Sequence, residues 1–299
     1  MPSAPRNRPE EKKLDALNAL DSTTDRVASK GAVLAEERSL PERIPDLIEA
    51  YARFLIDPVK RDPNCMAKQA IARALVTLEC RDIPFYLEGI RYVQLEPVWG
   101  GSADTAVDVR CSCAMGLSTS SYFRAVPEIA ALLNDKEVRA RVGAARAISC
   151  GHPREAEALL RFKTLIGDER PEVLAECFTA LLTIAPQECL PLVASHLSHK
   201  DDAVRDFAAL ALGESHQPAA LQFLRTAWED ILVTPEMRAV LIRAAAVHRS
   251  DEAFDWLVSI IENGTATQAD VAVDALSVYE RNTKLQERIK AALASRQRR

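Results

Sequence analysis

Glycine is scarce in this sequence, with 10 residues in 299, and aromatic side chains make up only 5%. Both shortages argue against an all-β protein, which needs glycine in its turns and large side chains on its strands. No run of 18 apolar residues occurs, so no membrane-spanning helix is expected. The N-terminus, Met1-Pro2-Ser3-Ala4-Pro5-Arg6, leads into Glu10-Glu11-Lys12-Lys13 with no apolar stretch between, so no secretory leader is expected. The seven cysteines are an odd number without a secretory context, which points to reduced thiols in a cytoplasm. The sequence contains no Gly-x-Ser-x-Gly elbow, no phosphate loop and no paired-histidine zinc helix. The balance is therefore against an enzyme, and no cofactor or metal is implied.

Apolar residues make up 48% of the chain, enough for a sizeable core, and alanine and leucine, both helix formers, dominate them. The net charge is −5, yet the stretch Lys284–Arg299 holds six basic residues and one acidic, which leaves about −10 on the remainder. An acidic body repels nucleic-acid phosphate, which supplies most non-specific affinity. Nucleic acid is a poor candidate partner on that ground.

A nine-residue pattern recurs, with small or apolar residues at positions zero, four, five, seven and eight. Its clearest copy is Val204-Arg205-Asp206-Phe207-Ala208-Ala209-Leu210-Ala211-Leu212, followed by Gly213. Others begin at Ala140 and Val109, and weaker ones at Ala67, Val173, Met237 and Gln268. The steps between starts are 42, 31, 33, 31, 33 and 31 residues, a regularity that means stacked supersecondary units. Offsets of four, seven and eight fall on one helical face, and small residues there let neighbouring helices approach closely. A second amphipathic segment precedes several copies, as at Val126–Leu133, Glu155–Ile166, Cys189–Leu197, Ala219–Trp228 and Ala253–Glu262. Polar breakers such as Asn134-Asp135-Lys136 and Asn263-Gly264 separate the two. The pattern predicts an all-α protein, an α-solenoid of about seven helical hairpins.

Residues Val204–Gly213 resemble the HEAT-like repeat consensus, valine-arginine-x-x-alanine-alanine-x-alanine-leucine-glycine, and the resemblance runs roughly from Ile44 to Tyr279. It specifies architecture more than function, because HEAT-like folds serve scaffolds, lyases and DNA repair alike. The family includes phycobilin lyases and many scaffold proteins, so the resemblance implies two functions. One is a protein–protein interaction or scaffolding module that grips a protein or peptide partner. The other is a cofactor-handling or small-molecule enzyme of the HEAT-like lyase type. HEAT-like deoxyhypusine hydroxylases hold two irons with His-Glu dipeptides, which this sequence lacks. HEAT-like DNA glycosylases use a basic concave surface, which an acidic body does not favour.

Three segments are expected: a flexible one over 1–40, with a short helix at Lys13–Leu20; the solenoid over 41–282; and a capping helix with a basic tail over 283–299. The first solenoid helix is expected at Ile44–Ile56, stopped by Asp57-Pro58.

The first step of the repeat is about ten residues too long, and the excess lies in a loop, Arg91–Asp104. Insertions in repeat proteins fall in loops, often on the binding face. This one carries Trp, Tyr and Arg, the residues enriched in binding hot spots. The candidate binding residues are Arg91, Tyr92, Gln94, Glu96, Trp99, Asp104 and Arg110, and the enzyme reading would place its pocket among the same groups. The competing reading makes Trp99 a structural plug over an irregular junction. Asp104 or Ser102 could cap the following helix. A basic residue recurs at position one, as Lys68, Arg110, Arg141, Arg205 and Arg238. The ladder could bind acidic groups, but its regularity favours structural bonds to Asp135, Asp168 and Asp201 in neighbouring turns. Cys111 and Cys113 are two apart, so they do not face one another on a helix. His196 and His199 lack companions for a metal site.

Overall fold

The computed structural model describes residues 19–151, 153–231 and 233–298. The chain divides into two compact units, Met1–Ala156 and Glu157–Arg299. Most of the helix Lys13–Leu20 lies outside the described residues; Ala19 and Leu20 are helical.

The first unit holds α1 (Asp25–Glu37), α2 (Ile44–Arg53), the single turn α3 (Pro58–Arg61), α4 (Met66–Thr77), α5 (Ile83–Gly89), α6 (Val107–Thr119), α7 (Ala125–Ala130) and α8 (Val138–Ser149). Helix α1 corrects the expectation of a flexible segment up to residue 40. Its small residues Ala28, Gly31, Ala32 and Ala35 fall at helical spacing and are buried; the helix packs against α4, and Gly31 lies against Ala19 and Leu20. Glu36 then pairs with Arg73 at 3.0 Å. In sequence this stripe is masked by the polar residues around it. Helix α2 begins at Ile44 as expected but ends at Arg53, and the chain turns at Asp57 with φ 49°.

The second unit takes α9 (Pro153–Ile166) from its second turn onward. It continues through α10 (Pro171–Ile184), α11 (Pro186–Ser195), α12 (Asp202–Glu214), α13 (Pro218–Glu229), α14 (Pro235–His248), α15 (Asp251–Asn263), α16 (Ala266–Leu276) and α17 (Thr283–Gln297). The helices α4, α6, α8, α10, α12, α14 and α16 carry the nine-residue pattern, and each starts one or two residues before it. The fold is an all-α solenoid of HEAT-like repeats.

The pattern explains the stacking. In the first unit α1, α4, α6 and α8 pack successively on one another; in the second, α10, α12, α14 and α16 do the same. Position seven is small in every copy, and Ala74, Ala147 and Ala244 there are wholly buried. The backbones approach closely at Gly213, where an added Cβ would lie 2.3 Å from the carbonyl oxygen of Ala244. Caps fix several starts: Thr234, Ser250 and Asn282 each accept a backbone N–H, and Thr265 with Gln268 forms a capping box. Helix α17 buries Leu285, Ile289 and Ala292 and packs on α15. No helix among the described residues is long and apolar enough to cross a membrane.

Candidate functional site

The insertion of the first unit is not an irregular loop. Leu95–Val98 (β1) and Gly101–Asp104 (β2) form an antiparallel hairpin in which Val98 pairs with Gly101 across the two-residue turn Trp99-Gly100. Gly100 has φ 84°, which glycine adopts without the steric cost of a side chain. The apolar β-branched residues Val93 and Val98 and the pair Gly100-Gly101 were the sequence signal for strand and turn.

The base of the hairpin is held by buried polar groups. Glu96 is 8% exposed, and one of its oxygens accepts from Asn64 N–H at 2.6 Å and from Gln94 Nε2 and Thr105 Oγ1 at 2.7 Å each. Gln94 also donates to the carbonyl of Asp62 at 2.9 Å and accepts the Tyr92 hydroxyl at 2.7 Å. Burial would raise the Glu96 carboxyl, but the bonds from Thr105, Gln94 and Asn64 outweigh it and hold the group below its usual range. Lys68 and Asp62 lie beneath, both fully buried and paired at 2.8 Å. Asp62 accepts from the N–H groups of Ala67 and Lys68 as well, so it also serves the N-terminus of α4.

On the second strand of the same base, Asp104 meets Arg110 at 2.7 Å, with side chains 0% and 2% exposed. Arg110 also reaches Asp135 at 3.2 Å and donates to the carbonyl of Tyr92 at 2.9 Å. Asp104 accepts from Ala106 N–H at 3.0 Å and Gln94 N–H at 3.2 Å. The first helical residues of α6 follow from Val107, so Asp104 serves the approach to the helix rather than its N-cap. Burial opposes its charge, but the Ala106 N–H and the Arg110 guanidinium prevail and hold its carboxyl low.

Five of the seven candidate residues, Tyr92, Gln94, Glu96, Asp104 and Arg110, are thus brought together, but turned inward. Most of their hydrogen bonds go to one another and to nearby backbone, although Asp104 Oδ2 and Arg110 Nε make ion-pair contacts without a hydrogen bond; the cluster therefore corrects the expectation of a polar rim. Arg91 stands apart on the surface, paired with Glu128. Trp99, at the tip, is 104% exposed, which removes the plug reading. Leu95 and Val98 are each about half exposed, at 52% and 51%.

The basic ladder is largely structural in its bonds. Lys68 pairs with Asp62, Arg110 with Asp104 and Asp135, and Arg141 donates to the carbonyls of Asp135 and Lys136. Arg205 donates to the carbonyl of His199 and pairs with Asp202, while Asp201 caps α12 instead. Arg238 lies over the Trp228 ring. Asp168 takes Lys163 at 2.8 Å. Cys113 is wholly buried, whereas Cys111 is half-buried, and burial pushes the Cys111 thiol up to about 11. His196 and His199 stack at 6.0 Å, with the first Nδ1 on the Leu192 carbonyl and the second accepting Asp201 N–H. No group of three metal-ligating side chains occurs among the described residues. Clefts lie elsewhere, among them one of about 680 Å³ beside Cys80, Arg81, Tyr122 and Phe123 in the first unit and one of about 480 Å³ beside Arg205, Phe223 and Met237 in the second.

Residues 158–233 match the family model of HEAT repeats, which agrees with a HEAT-like helical-repeat chain as the class of protein. A comparison with curated proteins finds no match. Among solved structures, the complex of CpcE and CpcF of phycocyanin lyase from Nostoc is similar at 14% identity and a TM-score of 0.41, covering 98% of this chain and 99% of that one. A likeness of that degree carries no argument about activity.

Proposed function

We propose that this chain is a protein-interaction module in which hairpin β1–β2 is the contact element and Trp99 its anchor. One observation carries the reading: a wholly exposed tryptophan stands on a hairpin whose base is fastened by buried ion pairs and hydrogen bonds. An indole left in water forgoes the stabilisation of burial, about 1.5–3 kcal/mol for a large apolar side chain. A fixed mount lowers the ordering cost of binding. Trp is also the residue most enriched among binding hot spots. Gln94, Glu96 and Arg110 at the hairpin base are buried and bonded within the cluster, which weighs against an open substrate pocket there.

The test is an affinity pull-down from the source cells with wild-type chain and Trp99→Ala. Partners held by wild type should be lost or weakened by about 2 kcal/mol or more in affinity. Truncating an exposed side chain should change stability by no more than about 0.5 kcal/mol. An unchanged partner profile with Trp99→Ala would remove the hairpin tip from the reading.

A further inference from the structure

The two outer edges of the hairpin are chemically different. In an antiparallel ladder, opposite residues alternate between pairs that exchange hydrogen bonds and pairs whose N–H and C=O groups point away from the partner strand. Thr105 N–H donates to the Gln94 carbonyl at 2.9 Å, and the register sets Leu95 opposite Asp104, Glu96 opposite Ala103, Pro97 opposite Ser102 and Val98 opposite Gly101. Counting from the Gln94–Thr105 bond, Glu96–Ala103 and Val98–Gly101 are the bonded pairs. The outward groups on β1 then belong to Leu95 and Pro97, and those on β2 to Ser102 and Asp104. Pro97 has no N–H, so the edge of β1 is blunted, as natural edge strands often are. The edge of β2 keeps both donors and both acceptors, and no other backbone group bonds to them.

From this edge we infer that two copies of the chain pair antiparallel through β2, making a four-stranded sheet of the order β1-β2-β2-β1. The inference rests on the reading of the hairpin as a contact element and names its partner as a second copy. The strand is self-complementary. With the two-fold axis at Ala103, Ser102 of each copy faces Asp104 of the other, and four N–H···O=C bonds close between them. Ala103 meets its own copy at the axis, where a small side chain is needed. Charge does not oppose the contact, because each Asp104 already has Arg110 at 2.7 Å. Access is open on the tip side: Gly101 and Ser102 are exposed, and a Cβ built at Gly101 meets nothing within 4 Å. The area is of the right order. A tryptophan side chain can bury about 250 Å². Two copies of Trp99 supply about 500 Å² toward the roughly 1,000 Å² at which specific interfaces begin, and the paired β2 backbone adds to it. The pairing also gives the exposed tip a destination, since each Trp99 is carried beyond the axis toward the base of the other hairpin.

The test is sedimentation of the purified full chain over a concentration series. Wild type should show a monomer–dimer equilibrium. Ser102→Pro removes one outward donor per copy and no bond within the hairpin, so it should raise the dimer dissociation constant at least tenfold with an unchanged helical spectrum. Ser102→Ala, which keeps the donor, should pair as wild type does. Ala103→Cys supplies an independent measure, because the axis brings two Cα atoms to about 4.5 Å, within disulfide reach. Mild oxidation should yield a covalent dimer of that variant well above the wild-type background from Cys111 and Cys150. A wild type that stays monomeric, a dimer indifferent to Ser102→Pro, or Ala103→Cys cross-linking no more than background would each overturn the pairing. None of these results touches the pull-down with Trp99→Ala, so a failed self-pairing is distinguishable from a failed interaction module.

Discussion

Arg110→Met is the sharpest perturbation of the hairpin mount. The guanidinium is 2% exposed and joins three segments: Asp104 at the end of β2, Asp135 in the turn before α8, and the Tyr92 carbonyl before β1. Methionine fills much of the same volume along the stem, so the change is mainly one of charge and hydrogen bonding. Asp104 would keep its bonds from the Ala106 and Gln94 N–H groups but lose its counter-ion in a place where its side chain is 0% exposed. Breaking a buried pair by removing one partner costs about 3–5 kcal/mol, because an uncompensated charge stays behind. At about 2–4 °C per kcal/mol for a unit of this size, the melting temperature should fall by roughly 10 °C. The assay is thermal and urea unfolding followed by circular dichroism. Adding Asp104→Asn to Arg110→Met should recover part of the loss, since it removes the stranded charge. A loss below about 1 kcal/mol, or a double variant whose losses simply add, would refute the claim that Arg110 and Asp104 form one buried unit.

Two further outcomes test the packing and the electrostatics. Ala208 is wholly buried in α12, which packs against both α10 and α14, so Ala208→Leu should overpack the stack and cost about 1–3 kcal/mol in a denaturation curve, with the loss extending to adjacent helices. Glu96 and Asp104 both titrate below their ordinary range in the folded chain. Their stabilising contribution is therefore present above the unfolded carboxylate values near about 4 and is lost as pH falls through the lower folded values. Glu96→Gln should flatten part of the acid limb of a stability–pH curve, and an identical limb in wild type and variant would count against the Glu96 network.

The repeat was legible in the sequence because its cause is local. Small residues four, seven and eight apart define one helical face whatever surrounds them, and so the patterned helices begin within two residues of the starts read from Ala67, Val109, Ala140, Val173, Val204, Met237 and Gln268. The breakers between helices were legible for the same reason. Position-one cations could be recognised as a column, and the sequence even offered Asp135 as a partner, but it did not separate Asp201, which caps α12, from a partner of Arg205. Helix α1 escaped notice because its buried stripe is made of alanine and glycine, whose burial depends on α4 and on Ala19 and Leu20 being there to receive them. The insertion around Trp99 shows the division most clearly. Its residues announced an unusual segment, and Val98-Trp99-Gly100-Gly101 carried the marks of a turn. Which side chains faced inward was decided by distant chain: Glu96 meets Asn64, Gln94 meets Asp62, and Arg110 meets Asp135. A pattern of neighbours along the chain holds helix faces and turns, whereas the environment that makes Glu96 a buried strut and Trp99 an exposed tip exists only once those separate segments have packed together.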